Sequence, residues 1–213
     1  MRKLLLGLGL FALAIGGGVS SAVAQQFSDK PIKHFTEANV SALLIKMGAT
    51  GVTSSKDGNT TIVRFDVNGA THVAAIVACP KGQPGCLGLL LLVPVRLAEG
   101  TFTHDVINGF NDASAFGKAV RSDDGKSIVI TRYVISDNGI LEGNLAVNIS
   151  VFAAMPNQFA SFLASQVVAS ADKGTAQPVA MSTEPKKPEV APHSEFQSLY
   201  DFAAKQPAIV LPK

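Results

Sequence analysis

Residues 86–95 read Cys-Leu-Gly-Leu-Leu-Leu-Leu-Val-Pro-Val, an apolar run without a charged side chain. The run is far shorter than the roughly 20 residues a membrane-spanning helix needs. Its length and its Leu/Val content fit a strand instead, with Leu89-Leu90-Leu91-Leu92-Val93 at the centre. Consecutive side chains of a strand point to opposite faces, so a strand apolar at every position is buried on both. One face of the sheet is expected to meet helices of its own domain. The other must meet the tail of the chain, another subunit or a ligand.

The flanking sequence supplies the rest of a sheet. Asn59 to Asp66 alternates, with Thr61, Val63 and Phe65 on one face. Asn68-Gly69 then marks a tight hairpin, because both central positions of a type I′ turn need positive φ. Thr71 to Cys79 is the return strand. A second hairpin pairs Phe116–Arg121 with Ser127–Ile135 across Asp123-Asp124-Gly125-Lys126. Three helices are predicted around these strands. The first runs from Thr36, a good N-cap, to Met47, with Phe35 and Val40 as a hydrophobic staple. The second begins near Thr103, with Phe102 and Ile107 in the same roles. The third spans 145–169, capped by Asn144, and Pro156 is expected to kink or split it. The order αβββαββα predicts an α+β domain over residues 34–170 with a five-stranded antiparallel sheet.

The ends of the chain differ from this centre. Met1-Arg2-Lys3, the apolar Leu4–Ile15 and the small residues ending in Ala22-Val23-Ala24 make a three-part secretory signal over 1–24. An uncleaved anchor is the alternative, because the uncharged stretch is long enough to span a bilayer. Cleavage points to a periplasmic or secreted bacterial protein. It removes two of the 18 basic residues and leaves 16 against 16 acidic ones. A neutral chain lacks the excess Lys and Arg that nucleic acid or anionic membranes require. Residues 25–33 read as an irregular lead-in. Residues 171–193, with Pro178, Pro185, Pro188 and Pro192, read as a solvated linker. Residues 194–205 form a short amphipathic helix that either docks on its own domain or engages another chain, and 206–213 a disordered tail.

Cys79 and Cys86 flank Pro80-Lys81-Gly82-Gln83-Pro84-Gly85 and are expected to form a disulfide across two strand ends. Free thiols and half of a metal site are the alternatives. The six-residue spacing does not match a zinc knuckle. Neither catalytic residues nor metal ligands are expected. The histidines 34, 72, 104 and 193 are isolated from one another, and Asp57, Asp66, Asp123, Asp124 and Asp137 sit at turns. Hydrolase, metalloprotease and phosphate-loop motifs are missing from the sequence, and no cofactor is implied.

Ile107-Asn108-Gly109-Phe110-Asn111 and Ala115-Phe116-Gly117-Lys118-Ala119 add a more specific pattern. It resembles the Asn-x-aromatic-Asn and Phe-Gly-basic-Ala signature of the YbjN family of bacterial sensory transduction regulators. The resemblance covers about 34–168. Phe110 stands where Trp is frequent, and Pro156 departs from an uninterrupted last helix. The resemblance implies a fold similar to type III secretion chaperones, commonly dimeric, without enzymatic activity, and a regulatory role exerted through protein contacts. Asn108 and Asn111 share a helical face beside Phe110, and their amides are expected to tie the helix end to the next strand. Direct partner contact is the alternative. The expected function is a protein-binding or chaperone-like regulatory module, with a protein partner or a second copy of the chain as its expected partner. Its interaction face is expected to be Leu89, Leu91 and Val93 on the sheet with Phe152, Phe159 and Phe162 on the long helix. Carriage of a small hydrophobic ligand is the second reading.

Overall fold

The computed structural model describes residues 27–172 and 194–211. The expected signal peptide lies outside these residues, as does the expected linker except for its first two positions. The elements are β1 (Pro31–Ile32), α1 (Glu37–Lys46), β2 (Thr50–Asp57), β3 (Thr60–Val67), β4 (Ala70–Val77) and β5 (Gly88–Leu97). They continue with α2 (His104–Ala113), β6 (Lys118–Arg121), β7 (Ser127–Ile135), β8 (Ile140–Leu141), α3 (Glu142–Asp172), α4 (Ser194–Ala204) and β9 (Ile209–Leu211).

The fold is α+β, but its main sheet has seven strands instead of the expected five. The order is β2-β3-β4-β5-β7-β6, with β9 beside β5. The six strands of the path pair antiparallel, and β9 runs parallel to β5. One added strand, β2, reads Thr-Gly-Val-Thr-Ser-Ser-Lys-Asp and is almost wholly exposed at the sheet edge. The other, β9, lies in the stretch expected to be a disordered tail. It takes the side of β5 that β4 leaves. The last β4 pair is Val73↔Leu92 and the first β9 pair is Val95↔Ile209. Pro94, which has no N–H to give a ladder, falls in the gap. The lead-in is also less irregular than expected, since β1 pairs with β8.

Local chemistry explains the element ends. Thr36 Oγ1 accepts from the N–H of Asn39, and Asn39 Oδ1 accepts from the N–H of Thr36, a reciprocal cap on α1. Thr103 Oγ1 accepts from the N–H of Val106 at the start of α2. Asn68 and Gly69 have φ of 54° and 75° between β3 and β4, as a type I′ turn demands. Two corrections concern α3. It starts at Glu142, so Asn144 lies within the helix, where its carbonyl accepts from the Asn148 amide. Glu142 holds that start in place, accepting from the Ser28 N–H and from Lys46 Nζ. Pro156 sits buried inside one continuous helix instead of splitting it. Cys79 and Cys86 form a disulfide, with Cα atoms 4.0 Å apart, across the β4–β5 connection.

Two apolar clusters flank the sheet. Leu89, Leu91, Val93 and Val95 face α1, α2 and α3. Leu90 and Leu92, in the opposite phase, face α4 together with Ile62, Val73, Ala75, Val77 and Val129.

Candidate functional site

The face under α4 is the part of the sheet closed by a separate segment. Leu199 and Ala203 are four positions apart, so they share one side of α4, and both are buried on this face. Two arginines frame the contact. Arg96 Nη2 donates to the carbonyl oxygen of Ala204 at 2.8 Å, at the helix end where carbonyls lack partners. The Arg64 guanidinium lies 5.1 Å from the centre of the Phe202 ring. After a turn, β9 pairs with β5, and the Ala98 N–H donates to the carbonyl of Leu211. The apolar face extends beyond α4. Strand register places Val120, Tyr133 and Ile135 on the same side as Val129 and Leu90, and their exposures are 37%, 43% and 58%.

The expected interaction face requires correction. Leu89, Leu91, Val93, Phe152 and Phe159 have no exposed surface. Phe162 is half-buried and packs against the same cluster. They form the interior between sheet and α3, because that phase of the leucine run points at the chain's own helices. The phase that meets α4 is Leu90 and Leu92.

The motif residues form a clasp between α2 and β6. Asn111 Nδ2 donates to the carbonyl of Ala119 at 2.9 Å, and Asn111 Oδ1 accepts from the Ala119 N–H at 2.7 Å. Lys118 Nζ donates to the carbonyls of Asn111 and Ser114, neutralising the end of α2. Asn108 is exposed, outside the clasp. Phe110 packs edge-on against Phe159 at 4.8 Å and Phe162 at 5.8 Å, which seats α2 on α3. A side chain at Gly117 would meet Met155 and the carbonyl of Thr131, so only glycine passes there. Phe116 is 56% exposed beneath the Arg132 guanidinium. The sequence reading missed Arg132, which donates to the Phe116 carbonyl and to Asn148 Oδ1. An arginine within an apolar strand was the available signal.

The titratable groups are dispersed. His72 is buried, stacked on Phe65 at 5.3 Å and edge-on to Phe152 at 5.7 Å. Its Nδ1 lies 2.9 Å from the Ala70 carbonyl, and its Nε2 has no hydrogen-bond partner among the described residues. Burial holds the imidazole below its ordinary pKa. His34 is half-buried ahead of α1, His104 is exposed at the start of α2, and His193 lies outside the described residues. Among the described residues no three His, Cys, Asp or Glu side chains gather as metal ligands would, and no helix is long and apolar enough to cross a membrane. A cleft of about 330 Å³ between the β3–β4 turn, Pro156 of α3 and the approach to β9 has no charged residue in its lining. No family model, curated protein or solved structure matches the chain.

Proposed function

We propose that the chain is an exported, non-enzymatic, YbjN-like protein that works by holding other polypeptides, in a regulatory or chaperone-like role. The observation behind this reading is the seating of α4. A short helix buries Leu199 and Ala203 on an apolar sheet face, and the sequence joins it to α3 through residues 173–193 alone. Such a face accepts a helix by its apolar side, one of the recurring modes of peptide recognition. The leucines of β5 meet the chain's own side chains on both faces, which weighs against the carrier reading.

Chaperone-like holding is tested with chemically reduced insulin as an aggregating client. Leu199→Glu frees the face by placing a carboxylate against leucines. The variant should suppress the rise in light scattering at equimolar ratio, and the wild-type chain should do so less. Identical scattering curves with and without either protein would remove the proposal.

A further inference from the structure

We infer that the sheet face beneath α4 is a docking groove for a helix–strand segment, and that its occupant in trans is residues 194–211 of a second copy of this chain. The inference rests on the polypeptide-holding reading given above. The segment attaches as a peptide ligand does. α4 lays Leu199 and Ala203 on a cluster that includes Val73, Leu90 and Leu92. β9 then adds itself to the side of β5 that β4 has left, with Val95↔Ile209 and Leu97↔Leu211 as the outer pairs. Helix in groove and strand addition are two general modes of peptide recognition, used here in succession. β9 also packs Ile209 and Leu211 against the cluster under the helices. Arg96 and Arg64, which meet the helix end and the Phe202 ring, both belong to the sheet.

The connection does not dictate whose groove the segment enters. Residues 173–193 stand between α3 and α4, 21 positions in all. A chain of that length reaches at most about 70 Å, several times the roughly 16 Å of α4 itself. Segment 194–211 is the sequence that this groove holds, and every copy carries one. The apolar face also continues beside the docked helix at Val120, Tyr133 and Ile135, where a second copy delivering its segment would stand. Docking in cis is intramolecular and independent of chain concentration, whereas docking in trans is not. The closed monomer therefore prevails in dilute solution, and exchange sets in where chains are crowded or refold together.

The test uses the full chain. A fluorescein-labelled peptide of residues 194–213 is titrated into wild-type protein and into Leu199→Glu, with anisotropy as readout. The opened variant should bind at least tenfold more tightly. Circular dichroism checks that it is folded, and Ala203→Glu replaces it if it is not. A folded variant that ignores the peptide, or equal binding to both chains, overturns the groove. So does unfolding of both variants, which would make α4 part of the core. Wild-type chain held at ~1 mM in mild denaturant and then diluted should give a dimer by light scattering, and Leu199→Glu should not. A strict monomer overturns the exchange. Peptide binding with a blank insulin assay would sink the broader function alone, so the two readings fail separately.

Discussion

His72 occupies a position where a leucine would satisfy the packing, between Phe65 and Phe152 with Nε2 unpaired. Protonating it in the folded chain would bury a charge, and the hydrogen bond to the Ala70 carbonyl and the attraction of Asp66 only partly offset this. The folded pKa is therefore depressed, and the unfolded chain takes up the proton first. Stability is intact above the ordinary histidine pKa of about 6.5 and is lost as pH falls below it. Melting temperature should drop between pH 7 and pH 5 in the wild type and much less in His72→Leu. Parallel pH profiles would discard this role. Glu142 acts in a lower window. The Ser28 N–H and then Lys46 hold its carboxylate below the usual range, so its contribution is lost only as pH falls below about 4.3. Asn111 makes a different prediction. Asn111→Ala leaves the Ala119 backbone without two hydrogen bonds, which should cost about 1–3 kcal/mol. Urea unfolding with an unchanged midpoint would show that the clasp contributes nothing.

At the scale of elements, caps and staples made α1 and α2 readable. Thr36→Ala should remove about 1 kcal/mol, measured by the same urea titration. The disulfide and the Asn68-Gly69 hairpin were equally visible, because each depends on a few residues close in sequence. What stayed hidden had its cause elsewhere in the chain. β2 is polar and exposed at almost every position, so it shows no alternation; only the partner β3 makes it a strand. β9 is three residues long and exists because β4 leaves β5 beside Pro94. The candidate face illustrates a further limit. A run apolar at every position carries no phase, and a shift of one residue moves the whole set to the other side of the sheet. The sequence thus located the two-sided strand but not which leucines meet α4. If α4 is held chiefly by Leu199 and Ala203, its amides should exchange with solvent through local opening, far faster than those of β5. Equal protection in hydrogen-exchange measurements would tie α4 to the global unfolding unit.

For the molecule as a whole, the sheet is one body with a different cover on each side. Reducing Cys79–Cys86 releases the β4–β5 connection, and loop-closure entropy puts the loss at about 2.5 kcal/mol. Denaturant unfolding with and without reductant measures it, and coincident curves would show that the hairpin holds itself. The beginning of the described chain has a consequence for biosynthesis. Phe35 exchanges both backbone bonds with Cys86, β1 pairs with β8, and the Lys33 carbonyl accepts from Ser136 Oγ, 103 residues away. The front end therefore has nothing to fasten to until the middle and the start of α3 have left the ribosome. A nascent chain of this design fastens residues 31–35 to Cys86, Ser136 and β8 only after β8 has been made.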